Sequence, residues 1–322
     1  MQRAPAAPEA LSKKRSAVWL SACAAVCVAP LLSGCGDGIR APAIRINGSS
    51  TVYPITVAVV EEFGAVRPGV KIPVGRKGTG GGMKQFVNGE IDICNASRPI
   101  KPVEKEKLEA AGIEYAEFSV AFDGLSVITH KENDWLDCIT VEQLKTIWSP
   151  EAADTINNWS QVDPDWPDQP LQLYGPGSDS GTFEYFTKVI CGKGGASRPD
   201  YNASEDDNFL VRGIVADEGS LGYFGLAYYD QNKDTLKLIP VNDGDGCVAP
   251  SPETVRNGTY KPLSRPLFIY VRKDSLQRPE VEEFIRFYLD NAGPLAAETG
   301  YVPVSDEVAE ANTQTLTQAL AQ

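Results

Sequence analysis

A chain of 322 residues, 42% of them hydrophobic and 23% charged, is long enough for two domains with ample cores and has the balance of a globular protein. Its net charge of −13 argues against nucleic acid as a partner, because the phosphate backbone would be repelled. The same field admits a small anion only where local donors overcome it.

At the N-terminus, Lys13, Lys14 and Arg15 precede an uncharged apolar run from Ala17 to Leu32. The run is too short and too rich in small residues to favour a spanning helix, and it reads as a secretory signal. It ends in Leu32-Ser33-Gly34-Cys35, which resembles the bacterial lipobox. Residues 1–34 are therefore expected to be a lipoprotein signal peptide, with Cys35 lipidated as the first mature residue. Acyl chains there would hold the body at a membrane surface, each buried methylene contributing about 0.8 kcal/mol. Loss of 1–34 removes four basic residues, Arg3, Lys13, Lys14 and Arg15, and one acid, Glu9, so the net charge falls from −13 to −16. Residues 35–43, with Gly, Asp and Pro and no apolar period, are expected to be a tether.

Beyond the tether, strand-like and helix-like runs alternate. Ile44 to Asn47 reads as a strand and Val52 to Val66 as a helix, with Val52, Ile55, Val59 and Phe63 on one face. Val70 to Gly75 reads as a strand, followed by a glycine loop and a short helix carrying Met83, Phe86 and Val87. A strand from Ile91 to Ala96 and a helix from Val103 to Ala111 complete the first series. Gly124 to His130 begins a second, continuing through a helix near Val141 to Trp148, a loop over Asp163 to Pro170, a strand from Leu171 to Tyr174 and a helix after Ser180. Pro266 to Val271 is a further strand, and Val281 to Asp290 an amphipathic helix. This rhythm predicts an α/β sheet protein.

Cys23 and Cys27 leave with the signal, and Cys94, Cys138, Cys191 and Cys247 remain beside Cys35. Four cysteines in an exported chain allow three pairings. Cys138 with Cys247 is favoured, since both sit in polar, loop-like contexts, whereas Cys94 in the apolar run Ile91 to Cys94 suits a buried free thiol.

Four times a strand end feeds a hydroxyl-bearing loop and then a helix: Gly48-Ser49-Ser50-Thr51, Gly78-Thr79-Gly80-Gly81-Gly82, Asn95-Ala96-Ser97-Arg98 and Ser178-Asp179-Ser180-Gly181-Thr182. Any one of them is an ordinary helix cap. Together they aim backbone amides, hydroxyls and helix N-termini at the C-terminal edge of a sheet, where open α/β folds bind ligands. With one arginine and one aspartate, the set suits a small tetrahedral oxyanion. Ser50, Thr51, Val52, Thr79, Gly80, Ser97, Arg98, Asp179, Ser180, Gly181 and Thr182 are the candidate site residues.

Over Ile44 to about Val304 the chain resembles the periplasmic phosphate-binding protein of the bacterial phosphate ABC transporter, the PstS family, on "GSSTVYPI", "GTGGGMKQF", "ICNASRPIK" and "DSGTFEYF". The resemblance implies a type II periplasmic-binding fold: two α/β lobes joined by a two-strand hinge, with inorganic phosphate clamped between them. Lobe one would be 44–123 plus 266–322 and lobe two 124–265, with crossings near Asp123 and Arg265. It implies a hydroxyl and amides at Thr51 and Val52, a hydroxyl at Thr79, and donors at Ser180, Gly181 and Thr182. Where family members carry an aspartate directly after a Gly-Ala-Ser that corresponds to Asn95-Ala96-Ser97, and an arginine four residues before the Ser-Gly-Thr turn, this chain has Arg98 and Pro176, and an acid, Asp179, directly precedes the turn. The two charges trade lobes. A carboxylate in the cup accepts a hydrogen bond from protonated phosphate and repels sulfate, and Arg98 would offset its charge. The implied partners are phosphate and the permease subunits, with a lipid anchor as the membrane link, a monomeric body, and no cofactor or metal.

Two other classes compete. Asp179-Ser180-Gly181 looks like part of a serine hydrolase signature, but the chain has one histidine, His130, and no Gly-x-Ser-x-Gly elbow around Ser180. The Gly78 to Gly82 loop lacks a following Gly-Lys-Ser/Thr, which argues against nucleotide binding. A surface lipoprotein using the same fold for another oxyanion, for sensing or for adhesion is the remaining alternative.

Overall fold

A computed structural model of the chain describes residues 44–178, 180–204 and 206–321. The leader, the tether, Cys35 and Asp179 lie outside the described residues.

The first half runs β1 (Ile46–Gly48), α1 (Tyr53–Val66), α2 (Gly78–Val87), β2 (Ile93–Ala96), α3 (Pro102–Ala110), β3 (Tyr115–His130), β4 (Ile139–Thr140) and α4 (Val141–Trp148). It continues through β5 (Gln172–Pro176), α5 (Gly181–Ile190), β6 (Asn202–Ser204), α6 (Asp207–Ala216), β7 (Ser220–Gly225) and α7 (Leu226–Asn232). The last elements are β8 (Leu236–Ile239), β9 (Val241–Asn242), β10 (Cys247–Val248), α8 (Pro252–Arg256), β11 (Ser264–Arg272), α9 (Lys273–Leu276), α10 (Pro279–Glu298) and α11 (Asp306–Leu320).

One sheet orders its strands β1-β2-β11-β3-β7-β5-β6, with β8 also on β3. Strand β3 is its spine, being long enough to pair twice. Its first part lies antiparallel to β11, from Tyr115 opposite Arg272 to Gly124 opposite Ser264. Its second part pairs with β7 and β8. The apolar residues divide along the same line. One core gathers Ile55, Val59 and Phe63 of α1, Phe118 and Val120 of β3, Ile269 of β11 and Phe284 and Tyr288 of α10. Another gathers Leu125 and Val127 of β3, Trp148, Leu173, Phe186, Tyr223 and Leu263, and it also takes in Val302. The two cores meet where β3 and β11 pass through Asp123 and Arg265, which lie opposite each other in the ladder.

Two local expectations change. Gly78 to Gly82 is the first turn of α2 and not a loop ahead of it. Glycine is a poor helix former, but a Cβ on Gly82 would sit 2.5 Å from the Cα of Gly48, so the helix can approach β1 only without one. The run Val70 to Gly75 makes a single bridge, Ile46 to Val74, because Pro73 has no amide to donate to a ladder.

Cys138 and Cys247 form the expected disulfide, joining the approach to β4 with β10 in the small sheet β10-β9-β4. Cys94 is a buried free thiol, and Cys191 is half-buried and free, burial pushing its thiol up to about 11. The bridge spans a sequence separation of 109, which puts it among long loop closures. Reduction is expected to lower stability by about 2–4 kcal/mol. Denaturation midpoints with and without reductant measure this, and equal midpoints would show that the closure contributes nothing.

Candidate functional site

Serine, threonine and glycine end β1 and β2 because the chain must turn there from a buried strand into a helix. The turns bring Ser49, Ser50, Thr51, Gly78, Thr79, Gly80, Ser97 and Arg98 to the wall of one cavity of about 370 Å³. Its other wall is Glu184, Tyr185 and Lys188 of α5, and Lys77, Lys101 and Arg265 complete the lining. Tyr185 belongs to the second core, whereas α1 packs in the first, so the cavity lies between elements of both. Among the described residues, five basic side chains and one carboxylate line it, in a chain whose net charge is −13.

The helix ends are disposed for an anion. Neither α1 nor α2 has a side-chain cap or an acid in its first turn. In α1 the Tyr53 amide donates to the Ser49 carbonyl at 3.2 Å and Pro54 has no amide, so it is the glycine-rich start of α2 whose leading amides are left for other partners. Helix α5 differs, since Ser180 Oγ accepts from the Thr182 amide at 3.1 Å. The loops brace one another: Thr51 N donates to Ser49 Oγ at 3.2 Å, Ser49 N to the Asn95 carbonyl at 2.8 Å, and Ser97 N to Thr79 Oγ1 at 3.1 Å.

Ser50, Thr51, Thr79, Gly80, Ser97 and Arg98 therefore share a cavity. Val52 is fully buried in the first core, and its side chain does not reach the cavity. Ser180, Gly181 and Thr182 are not among the lining residues. Gly181 nonetheless lies against Thr51, and Thr182 lines an adjoining cavity with Asp123, Tyr228 and Tyr301. Arg98 gives a two-pronged contact to Glu104, with Nη1 at 2.8 Å and Nη2 at 2.7 Å, and Nη1 also donates to the Pro99 carbonyl. Burial works to raise the Glu104 carboxyl, but the Arg98 fork and the Lys101 amide hold it below the ordinary value. His130 lies at the far end of β3, where its Nδ1 accepts from the Glu132 amide.

Sequence reasoning placed Asp123 and Arg265 at the crossings without assigning them to the site. Arg265 donates through Nε (3.0 Å) and Nη2 (2.9 Å) to Asp123 Oδ2, and through Nη2 to Thr51 Oγ1 at 2.7 Å. Its guanidinium carbon stands 3.7 Å from the ring centroid of Tyr185. The Tyr185 hydroxyl donates to the carbonyls of Pro262 (2.6 Å) and Ser264 (2.9 Å), and burial pushes its pKa up. Burial likewise pushes the Asp123 carboxyl up, with Arg265 pulling against it. The sequence signal was a lone acid in "SVAFDGLSVI" and a lone base opening "SRPLFIYV", each within a buried strand.

A mixed α/β body with two cores joined by crossing strands, and a cationic, hydroxyl-lined cavity between them, has the architecture of a substrate-binding protein. Residues 31–292 match the model of the PBP superfamily domain. The chain is 50% identical over 277 residues to protein SphX of Synechocystis sp., covering 86% of this chain and 82% of that one. It is 39% identical over 280 residues to the phosphate-binding protein PstS of Staphylococcus saprophyticus, covering 84% and 85%. The crystal structure of "a possible phosphate binding protein" from Planctomyces limnophilus superposes with a TM-score of 0.82 at 48% identity, over 86% of this chain and 98% of that one. An ABC-type phosphate transport receptor from Vibrio cholerae gives 0.61 at 25% identity, over 80% and 99%. The chain belongs to the PBP superfamily and, within it, to the PstS family of phosphate-binding proteins.

Proposed function

We propose that this chain binds inorganic phosphate in the cavity between its two cores and delivers it to the permease of a phosphate ABC transporter. The observation that carries the ligand is the cavity itself, where among the described residues five cations, five serines and threonines and the uncapped N-terminus of α2 converge inside an acidic protein. The names of the Staphylococcus saprophyticus and Vibrio cholerae relatives support the same ligand.

In this reading Ser50, Thr51, Thr79 and Ser97 give hydroxyls, and the backbone at Val52, Gly80 and Gly181 gives amides. Ser180 and Thr182 close over the ligand from α5. Arg98 lends positive charge to the wall, and Asp179, directly ahead of the α5 cap, supplies the carboxylate that accepts from protonated phosphate and repels sulfate. The lobes are 44–123 plus 266–322 and 124–265, hinged at Asp123 and Arg265, a boundary supported by the two cores meeting there. Family members work outside the cytoplasm as binding and not catalytic components. Removal of residues 1–34 and lipidation of Cys35 would hold the monomer at a bacterial membrane through the 35–43 tether. Among the described residues no helix is long and apolar enough to cross a membrane.

A thermal-unfolding panel of phosphate, sulfate, molybdate and a phosphate monoester tests the ligand. Phosphate at about 100 times its dissociation constant is expected to add about 2.7 kcal/mol of stability, with little from sulfate. Equal shifts from phosphate and sulfate, or none from phosphate, would overturn the assignment.

A further inference from the structure

Resting on the phosphate reading, we propose that Arg265 is the cation that clamps the ligand, in the place the motifs give to Arg98, and that Asp123 and Tyr185 are its positioning residues. The two arginines line the same cavity but differ in what their donors do. Arg98 directs both terminal nitrogens at Glu104 and the Pro99 carbonyl, so its fork is occupied by its own helix and loop. Arg265 gives Nε and one Nη2 hydrogen to Asp123 and the other Nη2 hydrogen to Thr51 Oγ1. Among the described residues its Nη1 donates to no protein group, although the side chain is only 15% exposed.

A guanidinium held in this way has its plane fixed on three sides. The Asp123 carboxylate aligns one edge, the Tyr185 ring covers one face, and Thr51 marks the direction of the remaining donors. Tyr185 cannot turn away, because its hydroxyl is anchored on the carbonyls of Pro262, just before β11, and Ser264, its first residue. Preorganised, partly desolvated and planar, this fork is suited to two oxygens of a tetrahedral anion. Thr51 places those oxygens beside the hydroxyl loops.

The position matters as much as the donors. Arg265 and Asp123 sit opposite each other on the strands that pass between the cores, so the charge belongs to neither. A ligand seated on it can be reached from the Ser50 side and from α5 at once.

Arg265→Gln alone would orphan a buried carboxylate, so the decisive variant is the neutral pair Asp123→Asn with Arg265→Gln. Phosphate binding is read by titration calorimetry, and folding by the unfolding midpoint without ligand. The paired variant is expected to fold and to bind phosphate about 100-fold or more weakly. Arg265→Lys, which keeps the charge and loses the fork, should fall between it and the wild type. Arg98→Gln should lose less than about tenfold. A folded paired variant within about threefold of wild type, or an Arg98→Gln loss as large as that of Arg265→Lys, would overturn the proposal. Should the paired variant unfold, the ranking of Arg265→Lys against Arg98→Gln decides. A wild-type protein that does not bind phosphate would instead refute the function proposed above, which separates the two failures.

Discussion

Replacing Gly181 with valine is expected to weaken phosphate binding by about 100-fold or more while leaving helix content and unfolding midpoint close to wild type, as when binding groups are displaced by about 1 Å. A Cβ at this position would stand 2.9 Å from Thr51 Oγ1 and 3.2 Å from the Thr51 Cα and amide nitrogen. Two of those three neighbours are backbone, which cannot rotate away as a long side chain would. Thr51 is itself tied to Ser49 and to Arg265, so pushing it back displaces a hydroxyl, an amide and the direction of a guanidinium together. Helix α5 does not need glycine for its own sake, because Gly181 follows the Ser180 cap and valine can occupy a first helical turn. The damage should therefore be confined to the site. Calorimetric titration with phosphate, circular dichroism and the midpoint measured together check this, with Gly181→Ala as an intermediate step. Binding within about threefold of wild type in the valine variant would mean that α5 does not close on Thr51 when the ligand is held.

The hydroxyl loops were legible because their chemistry is local. A serine or threonine between a strand end and a helix start, with glycine beside it, leaves few backbone paths, and residues of the first three segments line one cavity, whereas Ser180, Gly181 and Thr182 of the fourth do not. The disulfide was legible for a similar reason, since polar context separated Cys138 and Cys247 from Cys94. Arg265 was hidden because its role depends on register. It meets Asp123 across a separation of 142 residues and Thr51 across 214, and no local pattern encodes which of the cavity's cations faces the hydroxyls. The burial of Arg98 against Glu104 was hidden by the same limit at short range, because a carboxylate six residues on is equally a solvated helix charge. In β3 the apolar run predicts a strand only from Gly124, whereas the strand begins at Tyr115. The alternating pattern before Asp123 belongs to the first core and the near-continuous apolar run after it to the second, so one strand carries two burial patterns.

Gly48→Ala is expected to cost about 4 kcal/mol or more of folding stability, among the largest effects of any single substitution outside the disulfide. Its φ of +142° lies in a region that side chains rarely enter. A Cβ there would stand 2.1 Å from the Asn95 carbonyl oxygen and 2.8 Å from its amide nitrogen, both backbone atoms of β2. Relief by moving β1 outward is blocked from the other side, where α2 packs with Gly82 against the Gly48 Cα. The shift would also break the Ser49 amide bond to the Asn95 carbonyl, which sets the first hydroxyl loop. Gly64→Ala is the matched control: it lies inside α1 with nothing within 4 Å of the added methyl, and should raise stability by about 0.4–1 kcal/mol. Denaturant unfolding of the two variants reads both effects. A Gly48→Ala midpoint matching that of Gly64→Ala would show that the meeting of β1, β2 and α2 is loose enough to accept a methyl group. Stability and binding should fall together in Gly48→Ala, because the strand end that fails also carries Ser50 and Thr51. In Gly181→Val they should come apart, and the contrast distinguishes a residue that builds the loop from one that lets the second wall reach it.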